Sequence, residues 1–173
     1  EGIKLERRRK ASYQAGRLLY QLNDFDRSLS LFKSLAEKYP STREGKLSAQ
    51  LVLDIYNLRQ QYKQVAQYAQ SFLKRSDSAT RSELKEIEQK ALFKEIQKRE
   101  ERARSLPESQ KAAGLERVGN EYFRFAKSYS SSKFVDAALW ASIQLLASSA
   151  SMQDDQEFPQ LRQAFIKSLV KID

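Results

Sequence analysis

Polar and aromatic side chains recur at helical spacing in this 173-residue chain. Two groups of three residues follow one another at positions i, i+4 and i+7: Tyr13, Arg17 and Tyr20, then Gln50, Asp54 and Asn57. This spacing places each group on one face of a helix. The second group is polar inside an otherwise apolar segment, so it faces solvent or a ligand. Such side chains bind by hydrogen bonding, charge and stacking, which indicates recognition.

The same sequence contains little that could carry out catalysis. It has no Cys and no His, which excludes sites built on thiolate or imidazole groups. Its five glycines are isolated, so there is no glycine-rich phosphate loop. Asp154, Asp155 and Glu157 lie close together but lack the spaced ligand series of a calcium loop. We therefore predict no catalytic residue, no cofactor and no metal, and expect a protein that is not an enzyme.

The positive charge is unevenly distributed. The formal net charge is +9, and residues 1–76 hold 15 Lys or Arg against 7 Asp or Glu. Such a field favours acidic proteins, nucleic acid or an anionic surface. The strongest local run is Arg7, Arg8, Arg9 and Lys10. It is either a nucleic-acid or lipid site, a solvated helix end, or a contact with a preceding repeat.

The apolar pattern predicts an all-α chain of eight helices in four antiparallel hairpins. In the first helix the apolar positions include Ala11, Ala15, Leu18, Leu19 and Leu22. We expect helices at about 3–22, 25–39, 42–60, 62–73, 79–105, 108–129, 131–148 and 156–172, with a loop at 149–155. Capping boxes are predicted at Ser41–Glu44 and Ser105–Glu108. Beyond Ile96 the fifth helix is charged on every side, so its end is expected to project from the body.

Two segments repeat a helix that ends at a Tyr, at Tyr39 before Pro40 and at Tyr129 before Ser130. Residues 11–40 resemble a tetratricopeptide repeat, with Gly16, Leu19, Phe25, Phe32 and Pro40 at positions typical of that family. Ser28 and Ser12 depart from the pattern. Residues 46–77 resemble a second copy, with Tyr62 at the turn and Leu53 where a small residue is usual. The resemblance implies one helical-repeat domain over 1–173, with two recognisable repeats in 1–77 and two degenerate hairpins in 78–173.

The resemblance also implies where a partner binds. In tetratricopeptide arrays the first helix of each hairpin lines a concave groove, and the corresponding residues here are Tyr13, Arg17, Tyr20, Gln50, Asp54, Asn57, Trp140 and Gln144. Packing between helices is the alternative for Tyr13, Tyr20 and Trp140. Asp54 would repel a terminal carboxylate, so a carboxylate clamp is not expected.

The expected role is a scaffold that binds a protein, a peptide or another domain of the same polypeptide, and no membrane span is expected. The segment ending Tyr39-Pro40-Ser41 is similar to bacterial cell-envelope members of the family, of the types that assist outer-membrane assembly or coordinate the Tol–Pal system. That similarity implies a periplasmic or envelope location and a role in envelope assembly. The helical pattern is already present at the opening EGIKLERRRK, which predicts a fragment of a larger protein. A helical-repeat module that binds nucleic acid through the basic N-terminal half is the less favoured alternative.

Overall fold

The computed structural model describes residues 2–73 and 78–152, and these residues form seven helices and no strand. The helices are α1 (Gly2–Gln21), α2 (Phe25–Lys38), α3 (Arg43–Leu58), α4 (Tyr62–Leu73), α5 (Ser78–Arg104), α6 (Glu108–Ser128) and α7 (Val135–Met152). The prediction of an all-α fold is confirmed. None of the described helices combines the length and apolar character that a membrane crossing needs.

The predicted boundaries of the first six helices agree with the structure to within two residues. α7 differs at both ends, because it begins at Val135 and continues to Met152 through part of the predicted loop. Ser149 explains the extension, since it is buried and its hydroxyl donates to the Ala112 carbonyl of α6 at 2.9 Å. The helix predicted at 156–172 lies outside the described residues.

The first predicted capping box is displaced by one residue. Thr42, not Ser41, is the N-cap of α3, and its hydroxyl accepts a hydrogen bond from the Gly45 N–H at 3.2 Å. Glu44 accepts instead from the Arg9 guanidinium on α1 at 2.9 Å. With Thr42 as the N-cap, the third helical residue is Gly45, which has no side chain to complete a capping box, and the Glu44 carboxylate pairs with Arg9.

The second predicted capping box does not form. The Ser105 hydroxyl donates back to the Arg102 carbonyl at 2.8 Å, so it satisfies the end of α5 and does not cap α6. Pro107 is the N-cap residue of α6 and provides no side-chain hydrogen bond. Glu108 is the first residue of α6 and pairs with Lys111 at 2.5 Å, while its charge also suits a helix start.

Contacts divide the chain into two compact units, Glu1–Leu84 and Lys85–Asp173. The boundary lies near the predicted change at 77/78 from clear to degenerate repeats. The first unit has a buried core contributed by α2, α3 and α4, including Phe32, Leu35, Val52, Ile55, Val65 and Phe72. The second has an aromatic core in which Phe93 contacts Tyr122, Phe125 and Phe134. The prediction of one domain over 1–173 stays a prediction.

Two hairpin turns in the first unit are the same. Asn23 after α1 and Gln60 after α3 both have positive φ, of 59° and 53°, which is uncommon for residues other than glycine. Gln60 follows Asn23 by 37 positions. Matching backbone hydrogen bonds close the turns: Asp24 N to Leu19 O at 2.9 Å, and Gln61 N to Tyr56 O at 2.8 Å. The hairpins α1–α2 and α3–α4 therefore share one register at a spacing of 37.

A second type of turn occurs in both units. Tyr39 after α2 (φ −133°, ψ 51°) and Tyr129 after α6 (φ −128°, ψ 50°) are C-caps of nearly identical conformation, 90 positions apart. The same spacing pairs buried residues in the helices that follow: Ser48 with Ala138, Val52 with Ser142, and Ile55 with Leu145. The pair α6–α7 therefore repeats the arrangement of α2–α3.

Gly16 lies where α1 crosses α2. A Cβ atom at this position would stand 2.8 Å from Cε1 of the buried Phe32 ring. The Ser28 hydroxyl donates to the Gly16 carbonyl at 3.0 Å. The predicted crossing at Gly16 is confirmed, and the departure at Ser28 is explained because its hydroxyl binds the glycine it packs against.

The end of α5 packs against α6. Ala103 is 5% exposed and belongs to the core of the second unit. The Tyr122 hydroxyl of α6 donates to Glu100 at 2.8 Å, and Leu106 lies over Gly114. These contacts join the two helices of one hairpin, and the expectation that the tip of this hairpin projects from the body stays a prediction.

Candidate functional site

α3 presents its three polar residues to solvent. Gln50, Asp54 and Asn57 are exposed, whereas Val52 and Ile55 on the same helix are fully buried. Within the part of the chain that the structure describes, none of the three side chains makes a hydrogen bond or an ion pair. The prediction that these side chains face solvent is confirmed, and their amide and carboxylate groups are free to bind.

The three predicted residues of α1 divide into one free cation and two packed rings. Arg17 is exposed and has no ion-pair partner among the described residues. Tyr13 and Tyr20 are half-buried, and their ring centroids lie 6.0 Å from Phe32 and 5.5 Å from Phe25. The packing alternative therefore describes one side of each tyrosine, while the other side is accessible.

The second unit exposes the two residues predicted on α7. Trp140 is 63% exposed, and Gln144, one turn later, is also exposed. Neither side chain makes a hydrogen bond or ring contact within the described residues. The packing alternative for Trp140 is therefore wrong. Trp140 and Gln144 follow Gln50 and Asp54 by 90 positions, so equivalent places on α3 and α7 are both exposed.

Each unit therefore has its own exposed stripe, formed by Arg17, Gln50, Asp54 and Asn57 in the first unit and by Trp140 and Gln144 in the second. The carboxylate of the first unit's stripe has an unusual environment, because desolvation raises the pKa of Asp54. A partly desolvated carboxylate that has no ion-pair partner favours ligands that donate hydrogen bonds or carry positive charge. No three acidic side chains in residues 2–73 and 78–152 are grouped as a metal site.

The basic run is partly neutralised inside the first unit. Arg9 pairs with Glu44 at 2.9 Å, and its guanidinium stands 5.9 Å from the centre of the Tyr39 ring. Lys10 pairs with Glu6 at 2.6 Å. Only half of the run, Arg7 and Arg8, is exposed without an ion-pair partner in the described structure. This pairing leaves less of the field that a nucleic-acid backbone would need.

An open groove of about 460 Å³ between α5 and α6 was not predicted from the sequence. Three of its charged side chains are paired, since Arg99 contacts Glu95 at 3.5 Å and Glu121 at 2.9 Å. Arg124, which also lines the groove, donates to the Asn120 carbonyl at 3.3 Å. Ile96 and Phe125 supply apolar lining. Because most of the polar lining is engaged within the protein, the exposed stripes are the stronger candidate sites.

The sequence also failed to distinguish buried from exposed apolar residues on α1. Leu18 and Leu22 fit the predicted core pattern, yet they are 57% and 67% exposed. Periodicity identifies an apolar face but not whether anything covers it. The correspondence of Leu18 on α1 with the buried Ile55 on α3 emerges only when the two hairpin turns are aligned.

No protein-family model, curated protein or solved structure matches the chain. Two turn types recur, at spacings of 37 and 90 positions, and the exposed stripe recurs with them.

Proposed function

We propose that this chain is a tetratricopeptide-type interaction scaffold that binds peptide segments of other proteins through the exposed stripe that each of its two units carries. One observation carries the proposal: positions 90 apart on α3 and α7 are exposed and unpartnered, while their neighbours are buried. At these exposed positions the two helices carry Gln50 and Asp54 on α3 and Trp140 and Gln144 on α7. The proposed architecture is a superhelix of helical hairpins.

The side chains of the two stripes suit an extended peptide. The amides of Gln50, Asn57 and Gln144 each offer donors and an acceptor to peptide N–H and C=O groups. Trp140 offers a flat apolar face with one N–H, a combination common at binding hot spots. Asp54 disfavours a terminal carboxylate and favours Lys, Arg or an N–H donor in the peptide. A role in bacterial envelope assembly is proposed from the family resemblance alone.

The test is a selection of peptides from a displayed random library on the purified protein. We expect binders whose affinity falls at least about tenfold, or 1.4 kcal/mol, in Asp54→Arg or Trp140→Ala. Matched controls are Glu116→Arg, an exposed charge on α6, and Met152→Ala, an exposed apolar residue on α7. These controls should leave affinity unchanged.

A failure to select any binder, or equal losses in the controls, would remove the proposal. The nucleic-acid alternative is tested in parallel by a mobility shift at low and physiological salt. Binding that persists at physiological salt and is lost in an Arg7→Glu, Arg8→Glu double variant would favour that alternative.

A further inference from the structure

α1 carries an apolar face that nothing in the described structure covers. Ala11, Ala15 and Leu18 of α1 and Leu22, the first residue after the helix, are all exposed, and their spacing of 4, 3 and 4 residues continues one face. A contiguous exposed apolar face of this kind commonly marks an interaction site. It is called the α1 outer face below, and it is distinct from the exposed stripe of the first unit, which includes Arg17.

The register with α3 identifies what this face resembles. At the spacing of 37 positions fixed by the hairpin turns, the first three residues of the α1 outer face correspond to Ser48, Val52 and Ile55. All three are 0% exposed. At the further spacing of 90 they correspond to Ala138, Ser142 and Leu145 on α7, which are also buried. A small residue, a small or β-branched residue and a large aliphatic residue therefore occur in order on all three helices.

The helix that precedes α3 or α7 covers the corresponding face. α3 packs against α2, and Gly45 approaches α2 so closely that a Cβ would stand 1.8 Å from the Tyr39 carbonyl oxygen. α7 packs against α6, and the Ser142 hydroxyl donates to the Gly119 carbonyl at 2.8 Å. In two of three instances, then, this face is buried by an antiparallel amphipathic helix that ends in Tyr.

We propose that the α1 outer face is a docking site for an amphipathic helix of a partner protein. The expected helix resembles α2 and α6, which share one apolar pattern: Phe32, Leu35, Ala36 and Tyr39 on α2, and Tyr122, Phe125, Ala126 and Tyr129 on α6. Of these, Phe32 also packs on α1, and Tyr122 and Phe125 also pack on α5. The docked helix is antiparallel to α1, with its alanine against the small residues of the face and its larger side chains on either side.

Charge complementarity supports this occupant and its direction. Arg8 corresponds to Gly45, the residue that lies beside the C-terminal carbonyl of α2. Arg7 and Arg8 are exposed and have no ion-pair partner in the described ranges. The docked helix would therefore place its C-terminal carbonyl groups near unpaired guanidinium groups, where positive charge is favourable. We expect the partner helix to carry acidic residues in its last turn.

The probe is a fluorescently labelled peptide with the sequence of residues 22–42, which includes α2 and both flanking turns, titrated into the intact 173-residue protein. We expect saturable binding that weakens at least about tenfold in Leu18→Glu. The matched control is Leu58→Glu, because Leu58 on α3 is 58% exposed, almost the same as Leu18, but lies off the face. Arg8→Glu should weaken binding several-fold at low salt and less at high salt.

A scrambled peptide of the same composition should not bind, and circular dichroism should report unchanged helix content in each variant. Absence of saturable binding, or an equal loss in Leu58→Glu, would overturn the proposal. Sedimentation provides a further check. A concentration-dependent dimer that Leu18→Glu converts to monomer would identify a second copy as the occupant and would also overturn it. Because the exposed stripes are on other positions, peptide selection on them can fail without affecting this result.

Discussion

The crossing of α1 with α2 in the first unit and of α6 with α7 in the second have the same chemistry but are reached by different turns. In each, a buried Ser hydroxyl donates to a glycine carbonyl, at 3.0 Å for Ser28 and 2.8 Å for Ser142. In each, a large side chain four residues after the Ser lies over the glycine: Phe32 over Gly16, and Leu146 over Gly119. The turn between the helices contains Asn23 in one case and Tyr129 in the other. The close approach, and not the type of hairpin, requires the glycine.

The turns that lead into α3 and α7 differ more than the two glycine crossings do. Gly45 leaves no room for a side chain beside the Tyr39 carbonyl, whereas Val135 occupies the position 90 residues later. Regular helix begins at Arg43 in the first unit but only at Val135 in the second. The later start gives the second unit space for a β-branched residue, so the same C-cap can lead into a tight or a looser junction.

The largest expected effect is overpacking of the two glycine crossings. Gly16→Leu and Gly119→Leu should each lower the free energy of unfolding by about 2–3 kcal/mol, because the added atoms meet Phe32 or Leu146 in a closed core. Urea denaturation of both variants measures the loss. A parent-like midpoint for either variant would mean that the two crossings are not equivalent.

The two junctions should respond unequally to a methyl-sized change. Gly45→Ala should cost about 1–2 kcal/mol despite the better helix propensity of Ala, because the clash is with a backbone oxygen that cannot rotate away. Val135→Ala at the equivalent position should cost about 1 kcal/mol or less, as a half-buried truncation. Thermal unfolding of the two variants measures the difference. Equal losses would contradict the contrast between a tight and a looser entry.

Substitution of three buried serines distinguishes the contribution of a hydrogen bond to stability from that of burial. Ser28→Ala and Ser142→Ala should each cost about 1 kcal/mol, because each removes a hydroxyl bonded to Gly16 or Gly119. Ser48 is equally buried, but its hydroxyl has no partner in the described structure. Ser48→Ala should therefore be neutral or stabilising in chemical denaturation. Destabilisation of all three to the same degree would show that the loss of atoms, not of the bond, is measured.

The smallest effect is electrostatic and tests the second unit alone. Burial raises the pKa of Glu88, although nearby Lys85 opposes the shift. At pH values between the ordinary and the raised pKa, Glu88 is therefore more protonated in the folded protein than in the unfolded chain. The free energy of unfolding then falls as pH rises above the ordinary glutamate pKa of about 4.3. Glu88→Gln should raise Tm at pH 7, by less than the serine changes lower it, and should reduce this pH dependence.

Glu86→Gln, two residues away, is the control with the opposite sign. A hydrogen bond from Lys133 lowers the pKa of Glu86, so its contribution to stability is present at pH 7 and is lost as pH falls. Glu86→Gln should lower Tm slightly at pH 7 and have little effect at acidic pH. If both variants shift Tm in one direction, the two carboxylates do not have different environments.

The sequence predicted the helices well because their apolar periodicity and turn residues agree. It predicted Gly16 at a crossing, and it identified the exposed positions of α3 from polar residues in an apolar helix. Leu53 stands at the position of Gly16 in the second hairpin, where Ala69 replaces Phe32. In this hairpin the larger side chain is on the first helix and the smaller one on the second, which is the reverse of the first hairpin. The second repeat therefore departs from the family pattern, while both positions stay buried.

The failures arose where tertiary contacts compete with local signals. Glu44 fits a capping box, but Thr42 is the N-cap, and the Glu44 carboxylate pairs with Arg9, 35 residues away in sequence. Ser149 was predicted in a loop, but its hydroxyl donates to the Ala112 carbonyl, and the residue is part of α7. The exposure of Leu18 could not be read from periodicity, because a helix pattern does not reveal whether a neighbour covers the face.

The most direct test of the central claim uses Trp140, the only tryptophan in the chain, as a reporter. Its exposed ring should emit as a solvated indole and be quenched freely by acrylamide in the unbound protein. Saturation with a peptide selected on the purified protein should shift that emission to shorter wavelength and reduce quenching, because the ring becomes covered. The account predicts this protection for peptides whose binding is lost in Trp140→Ala. Tight peptide binding that leaves the emission and quenching of Trp140 unchanged for every selected peptide would contradict it.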